Sequence, residues 1–177
     1  MREARSLALA ALAVAALSVF SVREAAVAAD PDPIKIAVFD FELTDPSPSG
    51  GVIGRDAVDV ENLKEASEVA RRMLAASGRY SIVDTSRAHG EMSGDIQDCR
   101  GCEAALARKL GADQSMAGVV ARVGRVEHTV QIVIRDARTG DIVSNNFSGL
   151  RMGANYSWPR AVTSLMNNKI LLPQQAQ

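Results

Sequence analysis

Apolar residues fall into short runs along this chain, and their spacing changes between runs in a way that predicts alternating strands and helices. In residues 34–41 (IKIAVFDF), apolar side chains occupy consecutive positions, which is typical of a strand covered on both faces. Alternation along this strand puts Ile36 and Val38 on one face and Phe39 and Phe41 on the other. We therefore expect a central strand at the start of the domain.

A loop and a long helix follow this strand. Residues 44–55 contain several prolines and glycines, which disfavour regular structure over about a dozen positions. Residues 58–77 predict a helix that ends before Gly78, a residue suited to a left-handed cap. Its buried stripe is defined by residues at helical spacing: Leu63, Ala66, Ala70, Met73 and Leu74.

The rest of the chain predicts one more strand, a short helix, a three-stranded meander and a final helix. The turn at 136–140 (DARTG) has a glycine where a hairpin needs a positive φ. In order, the segments are a strand at 80–83, an irregular polar stretch at 85–101, a helix at 103–110, strands at 114–126, 129–136 and 141–150, and a helix from Trp158 to about Ile170.

This element order, β-α-β-α-β-β-β-α, predicts an α/β (α+β) fold. Alternating strands and helices followed by a meander indicate a mixed sheet of about five strands. We expect the helices to pack mainly on one face of that sheet.

The first 29 residues have the organisation of a secretory signal peptide. Arg2 and Arg5 precede an uncharged apolar run at residues 7–22, and Ala26-Val27-Ala28 supplies the small residues of a cleavage site. The alternative is an uncleaved anchor, although Arg23 interrupts the apolar run before the length of a typical membrane span. We expect a signal peptide at 1–29, a leader at 30–33, one α/β domain at 34–172 and a tail at 173–177, with no stable membrane insertion after cleavage.

Charge and composition narrow the class of partner. Removing three arginines and two glutamates with the signal peptide, from 20 basic and 21 acidic residues, leaves a net charge of −2. This balance gives no electrostatic reason to expect a nucleic-acid partner. A periplasmic location is expected for the exported chain.

Several sequence segments resemble a group of bacterial periplasmic proteins. The succession is similar to the amino-terminal domain of TolB and to the curli-secretion lipoprotein, and above all to an exported bacterial family of unknown function. The resemblance implies fold and compartment and carries over no catalytic residue. It covers residues 34–172, and its segments are IAVFDF (36–41), GRYSIVD (78–84), DCRGCE (98–103), KLGAD (109–113), GVVARV (118–123), DARTG (136–140) and GLRMGANYSW (149–158).

Cys99 and Cys102 are the only two cysteines and form the sharpest local motif. In an exported protein, such a pair is expected to form a disulfide that contributes about 2 kcal/mol of stability. A redox pair is the alternative, because both residues precede a helix whose amino terminus favours a thiolate. Zinc bound by both cysteines, His89 and one carboxylate is a further alternative, whereas His128 falls at a hairpin turn and shares no ligand spacing with His89.

Two other groups are candidate sites. Asp40 and Glu42, two positions apart at the end of the first strand, could point to one face, as acid–base or Ca²⁺ chemistry requires. The alternative, which we favour, is that Asp40 accepts hydrogen bonds from backbone amides at the strand end and Glu42 is solvated, since no third ligand or nucleophile is identifiable. Asn155, Tyr156 and Trp158 could form an exposed surface for a partner, and the alternative is that Trp158 packs in the core.

No nucleophile elbow or phosphate loop accompanies these residues, so we expect no catalytic residue, no resident metal and no cofactor. The sequence favours a periplasmic, non-enzymatic binding or accessory protein whose partner is a cell-envelope protein. The alternative is a thiol–disulfide or metal-handling protein that uses Cys99 and Cys102.

Overall fold

The computed structural model describes residues 32–46, 55–90, 95–99, 101–124, 126–151 and 158–172. These residues belong to one contact unit that begins at Asp32. Its strands are β1 (Ile34–Val38), β2 (Glu42–Thr44), β3 (Tyr80–Val83), β4 (Gln114–Arg122), β5 (Glu127–Asp136) and β6 (Ile142–Arg151). Its helices are α1 (Ala57–Ala76), α2 (Cys102–Lys109) and α3 (Trp158–Leu165), with 3₁₀ turns at Ser86–Gly90 and Ile96–Asp98 and a π-helical turn at Met166–Ile170.

The described strands form one mixed sheet in the order β3-β1-β4-β5-β6, with β2 also paired to β4. Strand β1 is parallel to β3 and β4, whereas β4, β5 and β6 form the antiparallel meander. The predicted α/β class and mixed sheet are confirmed. The sheet has six strands rather than about five, because the short strand β2 lies beyond the segment that the apolar pattern marked.

An extra residue separates β1 from β2. Val38 pairs with Met116 of β4, and Glu42 pairs with Val119 of β4. Glu42 is thus four positions after Val38, whereas their partners on β4 are only three positions apart. An inserted residue reverses which face the following side chains occupy. Phe41 therefore packs in the same core as Ile36 and Val38, and its predicted placement beside Phe39 is wrong.

The larger core lies between one face of the sheet and helices α1 and α3. Ile36, Val38, Ile132 and Ile134 project from the sheet into it and are almost fully buried. The helices contribute Leu63, Ala66, Ala70 and Leu74 from α1, and Trp158, Ala161, Val162 and Leu165 from α3. Two of the three helices thus share one face of the sheet, as predicted.

A smaller core covers the opposite face at β1 and β4. Ala37, Phe39 and Ala117 contact Leu106 and Ala107 of α2 there, and the 3₁₀ turns add Ala88 and Ile96. Helix α2 packs mainly against β4. Because α2 is only eight residues long, this face of the sheet is covered at its centre and exposed toward β6.

Candidate functional site

The cysteine pair lies where a turn enters α2. Cys99 and Cys102 form a disulfide, and Cys102 is the first residue of the helix. Gly101 between them has φ 120°, a conformation that side chains disfavour, so the glycine allows the turn to close. Cys99 is exposed and Cys102 is half-buried. Cys99 is therefore the outer residue of the disulfide.

A buried ion pair stands next to this disulfide. The Glu103 side chain is only 5% exposed, and its Oε1 accepts a hydrogen bond from Arg135 Nε at 2.8 Å. Arg135 also donates to the carbonyl oxygen of Gly140 at 3.0 Å. The pair joins the start of α2 to the β5–β6 hairpin. Neither residue was among the sequence candidates, because their contact spans 32 positions of the chain.

The donor atoms near the disulfide do not fit a zinc site. A carboxylate oxygen of Glu103 and the sulfurs of Cys99 and Cys102 lie within 4.8 Å of one another. However, zinc binds thiolates, and both sulfurs are joined to each other. The Glu103 carboxylate is also held by Arg135. The backbone of His89 lies in a 3₁₀ turn, and its imidazole is outside the described side chains.

The two candidate carboxylates bind different parts of the molecule. Asp40 forms an ion pair with Arg71 of α1, on the side of the larger core. Glu42 accepts the backbone N–H of Ile96 at 2.7 Å, on the side of the smaller core. The expectation that both point to one face is wrong, because the extra residue between β1 and β2 breaks the alternation.

A crevice of about 680 Å³ opens at the carboxyl ends of β1 and β3, beside α1. The chain leaves β1 toward α1 on one face and leaves β3 toward α2 on the other, so the two connections diverge. Such a divergence is where open α/β sheets often bind ligands. The crevice has an apolar floor that includes Phe41, Leu63 and Ile82, and a rim of both charges: Arg55, Lys64 and Arg71 against Asp40, Glu68 and Asp84.

A second polar cluster lies at the far end of β4. Arg122 contacts Asp59 of α1 at 2.7 Å and Asp45 at 3.5 Å, and all three side chains are at most 14% exposed. Asp59 is also part of the capping box of α1, where it accepts from the backbone N–H of Asp56. The hydrogen bond from Arg122 to Asp59 raises the pKa of the arginine, which stays charged. The cluster fixes the amino end of α1 against the sheet.

His128 and Trp158 meet beside this cluster. His128 lies in β5 opposite Arg122, not in a hairpin turn as predicted, because β4 ends at Arg122, short of the predicted residue 126. Its Nδ1 accepts a hydrogen bond from Trp158 Nε1 at 2.8 Å. Burial lowers the pKa of this imidazole below its ordinary value of 6.5, and the Arg122 charge lowers it further, while Asp59 and Asp45 act in the opposite direction. The imidazole is held in its neutral form.

The predicted partner surface around Trp158 is not formed by the indole. Trp158 is 1% exposed and packs in the larger core, because it is the first residue of the buried stripe of α3. The prediction that Trp158 lies on an exposed partner surface is therefore wrong, and the alternative, that Trp158 packs in the core, is confirmed. Asn155 and Tyr156 lie outside the described residues.

The open half of the sheet carries an exposed aromatic residue that the sequence pattern did not indicate as a candidate site. Phe147 is 75% exposed near the middle of β6. It lies directly opposite Gln131, which lines a shallow groove next to α2 together with Glu103 and Arg135. Phe147 therefore faces the same side as α2, beyond the edge of that helix. The position of Phe147 in an alternating strand can be predicted from the sequence. Its exposure cannot, because it depends on where α2 ends.

Among the described residues, no helix combines the length and the apolar character that crossing a membrane requires. No curated protein sequence matches the chain.

The chain is similar to several solved bacterial structures, and the first two below share its fold. The carboxy-terminal domain of LpoB from Salmonella enterica is 16% identical with a TM-score of 0.50, and the match covers 71% of this chain and 87% of that one. Lipoprotein GNA1162 from Neisseria meningitidis is 18% identical with a TM-score of 0.50, covering 78% of this chain and 99% of that one. TolB from Acinetobacter baumannii is 16% identical with a TM-score of 0.44, covering 75% of this chain and 26% of that one.

A family model described as "Protein of unknown function (DUF2380)" matches residues 34–170. This match confirms the expected relationship to a family of unknown function. The chain belongs to the DUF3280 family.

Proposed function

We propose that this protein is an exported accessory protein that binds a protein partner of the cell envelope. The partner docks on the open face of β5 and β6, which carries Phe147. The proposal depends on one observation, the 75% exposure of a phenylalanine near the centre of an edge strand.

Two features of β6 support binding at this surface. Between Ile142 and Leu150 the strand contains no charged residue and no proline, which are the residues that usually protect edge strands from pairing. Ile142 and Val143 are also more than half exposed. An uncharged edge strand that exposes three large apolar side chains is stabilised by a partner that covers it or extends the sheet.

Export is proposed from the first 29 residues. The basic head, apolar run and Ala26-Val27-Ala28 site would direct the chain through the inner membrane and release a mature domain in the periplasm. Sequencing the amino terminus of the protein recovered from a periplasmic extract tests this step. A mature chain that begins at Ala29 or Asp30 supports export, and retention of Met1 in the cytoplasm contradicts it.

Site-specific photo-crosslinking in intact cells tests the binding surface. A photoreactive phenylalanine analogue at position 147 is expected to give a discrete adduct with one envelope protein. The matched control is position 58, because Val58 is 65% exposed on α1, on the other side of the sheet. Equal adducts at both positions, or none at 147, would contradict the proposed surface.

A substitution then tests whether the contact depends on the phenylalanine ring. Phe147→Ser is expected to weaken binding of the crosslinked partner at least tenfold, since exposed aromatic residues often contribute most to an interface. Val58→Ser should leave binding unchanged. Both side chains are exposed, so neither change is expected to alter the melting temperature by more than a few degrees.

A further inference from the structure

We propose that the Cys99–Cys102 disulfide exchanges with protein dithiols, and that Glu103 and Arg135 position and activate the pair. This activity is separate from partner binding at Phe147 and goes beyond the proposed function. Three observations from different parts of the fold support it.

The first observation is the placement of the two sulfurs. Cys99 is the more exposed residue of the pair, so we expect its Sγ to be the sulfur that a thiolate in solution attacks. Cys102 is the first residue of α2, where the unpaired backbone N–H groups of the helix stabilise negative charge. Attack on Cys99 therefore releases the Cys102 sulfur at the position that stabilises a thiolate best.

The second observation is a cation beside the turn. A Cβ built on Gly101, between the cysteines, would lie 3.8 Å from Cζ and Nε of Arg135. The guanidinium is fixed there by Glu103 Oε1 and by the carbonyl of Gly140. An arginine next to a cysteine pair lowers the free energy of its thiolate form.

The third observation is the unpaired oxygen of Glu103. Glu103 is 4% exposed, and its Oε2 has no hydrogen-bond partner among the described residues. A buried carboxylate oxygen without a partner costs free energy that a purely structural disulfide does not require. One carboxylate oxygen lies within 4.8 Å of both sulfurs, where it can accept a proton from a reacting thiol.

The exchange balances without any further reactant. One thiolate of the partner dithiol attacks Cys99 Sγ, the Cys99–Cys102 bond breaks, and its electron pair goes to Cys102 Sγ. The second partner thiol loses its proton through Glu103 and attacks the mixed disulfide, which releases Cys99. The bond between Cys99 and the partner sulfur breaks, its electron pair goes to Cys99 Sγ, and the partner is oxidised to a disulfide. The two cysteines become thiols by taking up the proton lost through Glu103 and the proton that the first partner thiol released to solvent.

Other charged groups border the pair and act on its pH dependence. Glu42 contacts the Ile96 N–H in the preceding turn, and Asp95 and Asp98 lie in or next to that turn. All three are acidic and, like the Glu103 carboxylate itself, oppose the thiolate form, so Arg135 and the helix terminus must outweigh these four carboxylates.

The first experiment compares the rate at which the wild-type Cys99–Cys102 disulfide is reduced with the rate for oxidised glutathione, a disulfide without activating neighbours. The mature protein and oxidised glutathione are each reduced with dithiothreitol between pH 6 and pH 9, and free thiols are trapped and counted by mass. Reduction of Cys99–Cys102 is expected to be at least about tenfold faster at pH 7, since a stabilised leaving thiolate departs faster. An equal or slower rate overturns the proposal and identifies a structural disulfide.

The second experiment replaces Glu103. Glu103→Gln keeps an oxygen for Arg135 Nε–H but cannot carry a proton, so the exchange rate should fall about tenfold below pH 7 and approach the wild-type rate above pH 9. Glu61→Gln, an exposed change on α1, should have no effect. A Glu103→Gln rate that equals the wild-type rate across the whole pH range overturns the role of Glu103. If the variant fails to fold, the wild-type comparison still decides the proposal.

Discussion

At position 118, the absence of a side chain makes room for the ring of Phe41. A Cβ built on Gly118 would overlap three atoms of that ring. In the sequence, Gly118 is only a glycine inside an apolar strand. Its contact with Phe41 cannot be predicted from neighbouring residues, because Phe41 lies 77 positions earlier. The contact between Gly118 and Phe41 depends on the register in which β2 pairs with β4. That register in turn depends on the extra residue after Val38.

We predict that Gly118→Ala lowers the free energy of unfolding by about 2 kcal/mol, because the methyl group forces the Phe41 ring out of a filled core. Urea denaturation followed by circular dichroism measures the change. Gly149→Ala is the matched control in β6, since a Cβ there meets no atom within 4 Å. The control should retain wild-type stability, and an equal loss in both variants would contradict the packing argument.

His128 gives the fold a pH dependence. Burial lowers its pKa in the folded protein, whereas the unfolded chain titrates near 6.5. Between these two values the unfolded state binds more protons, so stability is complete above pH 6.5 and is lost as pH falls toward the lowered pKa.

We predict that His128→Gln flattens the change in unfolding free energy between pH 7.5 and pH 5. Glutamine can still accept the Trp158 N–H through its amide oxygen, but it does not titrate. The measurement is urea denaturation at several pH values for both proteins. If the two curves run parallel, protonation of His128 is not linked to folding.

At the scale of elements, the spacing of apolar residues was sufficient to predict the presence and order of the helices and of the meander strands. Four residues of the predicted α1 stripe are buried, Met73 is half-buried at the edge of the core, and the inward residues of β5 are buried as predicted. Residues 85–101 were predicted as irregular, and their two 3₁₀ turns place single apolar residues, Ala88 and Ile96, in the smaller core. Isolated apolar residues produce no periodic pattern, so this contribution could not be predicted from the sequence.

The ion pair between Glu103 and Arg135 connects α2 to β5, and its stability contribution is testable by a double-mutant cycle. Arg135→Met should lower the free energy of unfolding by about 3 kcal/mol, because it leaves the Glu103 carboxylate buried without a cation. Combining it with Glu103→Leu should cost less than the sum of the single changes by about 1–3 kcal/mol. Additive losses in thermal or urea unfolding would mean that the two side chains stabilise their elements independently.

At the scale of the whole molecule, the order of strands and helices was sufficient to predict the fold class. The candidate sites could not be predicted in this way, because they depend on where each helix or strand ends and on which other elements it contacts. Phe147 is exposed because α2 stops over β4, and Trp158 is buried because α3 lies against the sheet. Both are aromatic residues whose neighbours in the sequence are mostly polar, and the tertiary arrangement determines which of them is buried. The cysteine pair was recognised from its spacing, whereas its charged neighbours came from a distant strand.

The two cores on opposite faces share the same strands, and we predict that they unfold together. Strand β1 contributes Ile36 to one core and Ala37 to the other, and β4 contributes Met116 and Ala117 in the same way. Loss of either core would expose one face of both strands, so an intermediate that keeps only one core should be unstable. Trp158 is the only tryptophan and lies in the larger core, so its fluorescence reports that core alone. Its urea midpoint should coincide with the midpoint from far-ultraviolet circular dichroism, and separated midpoints would show that the two faces fold independently.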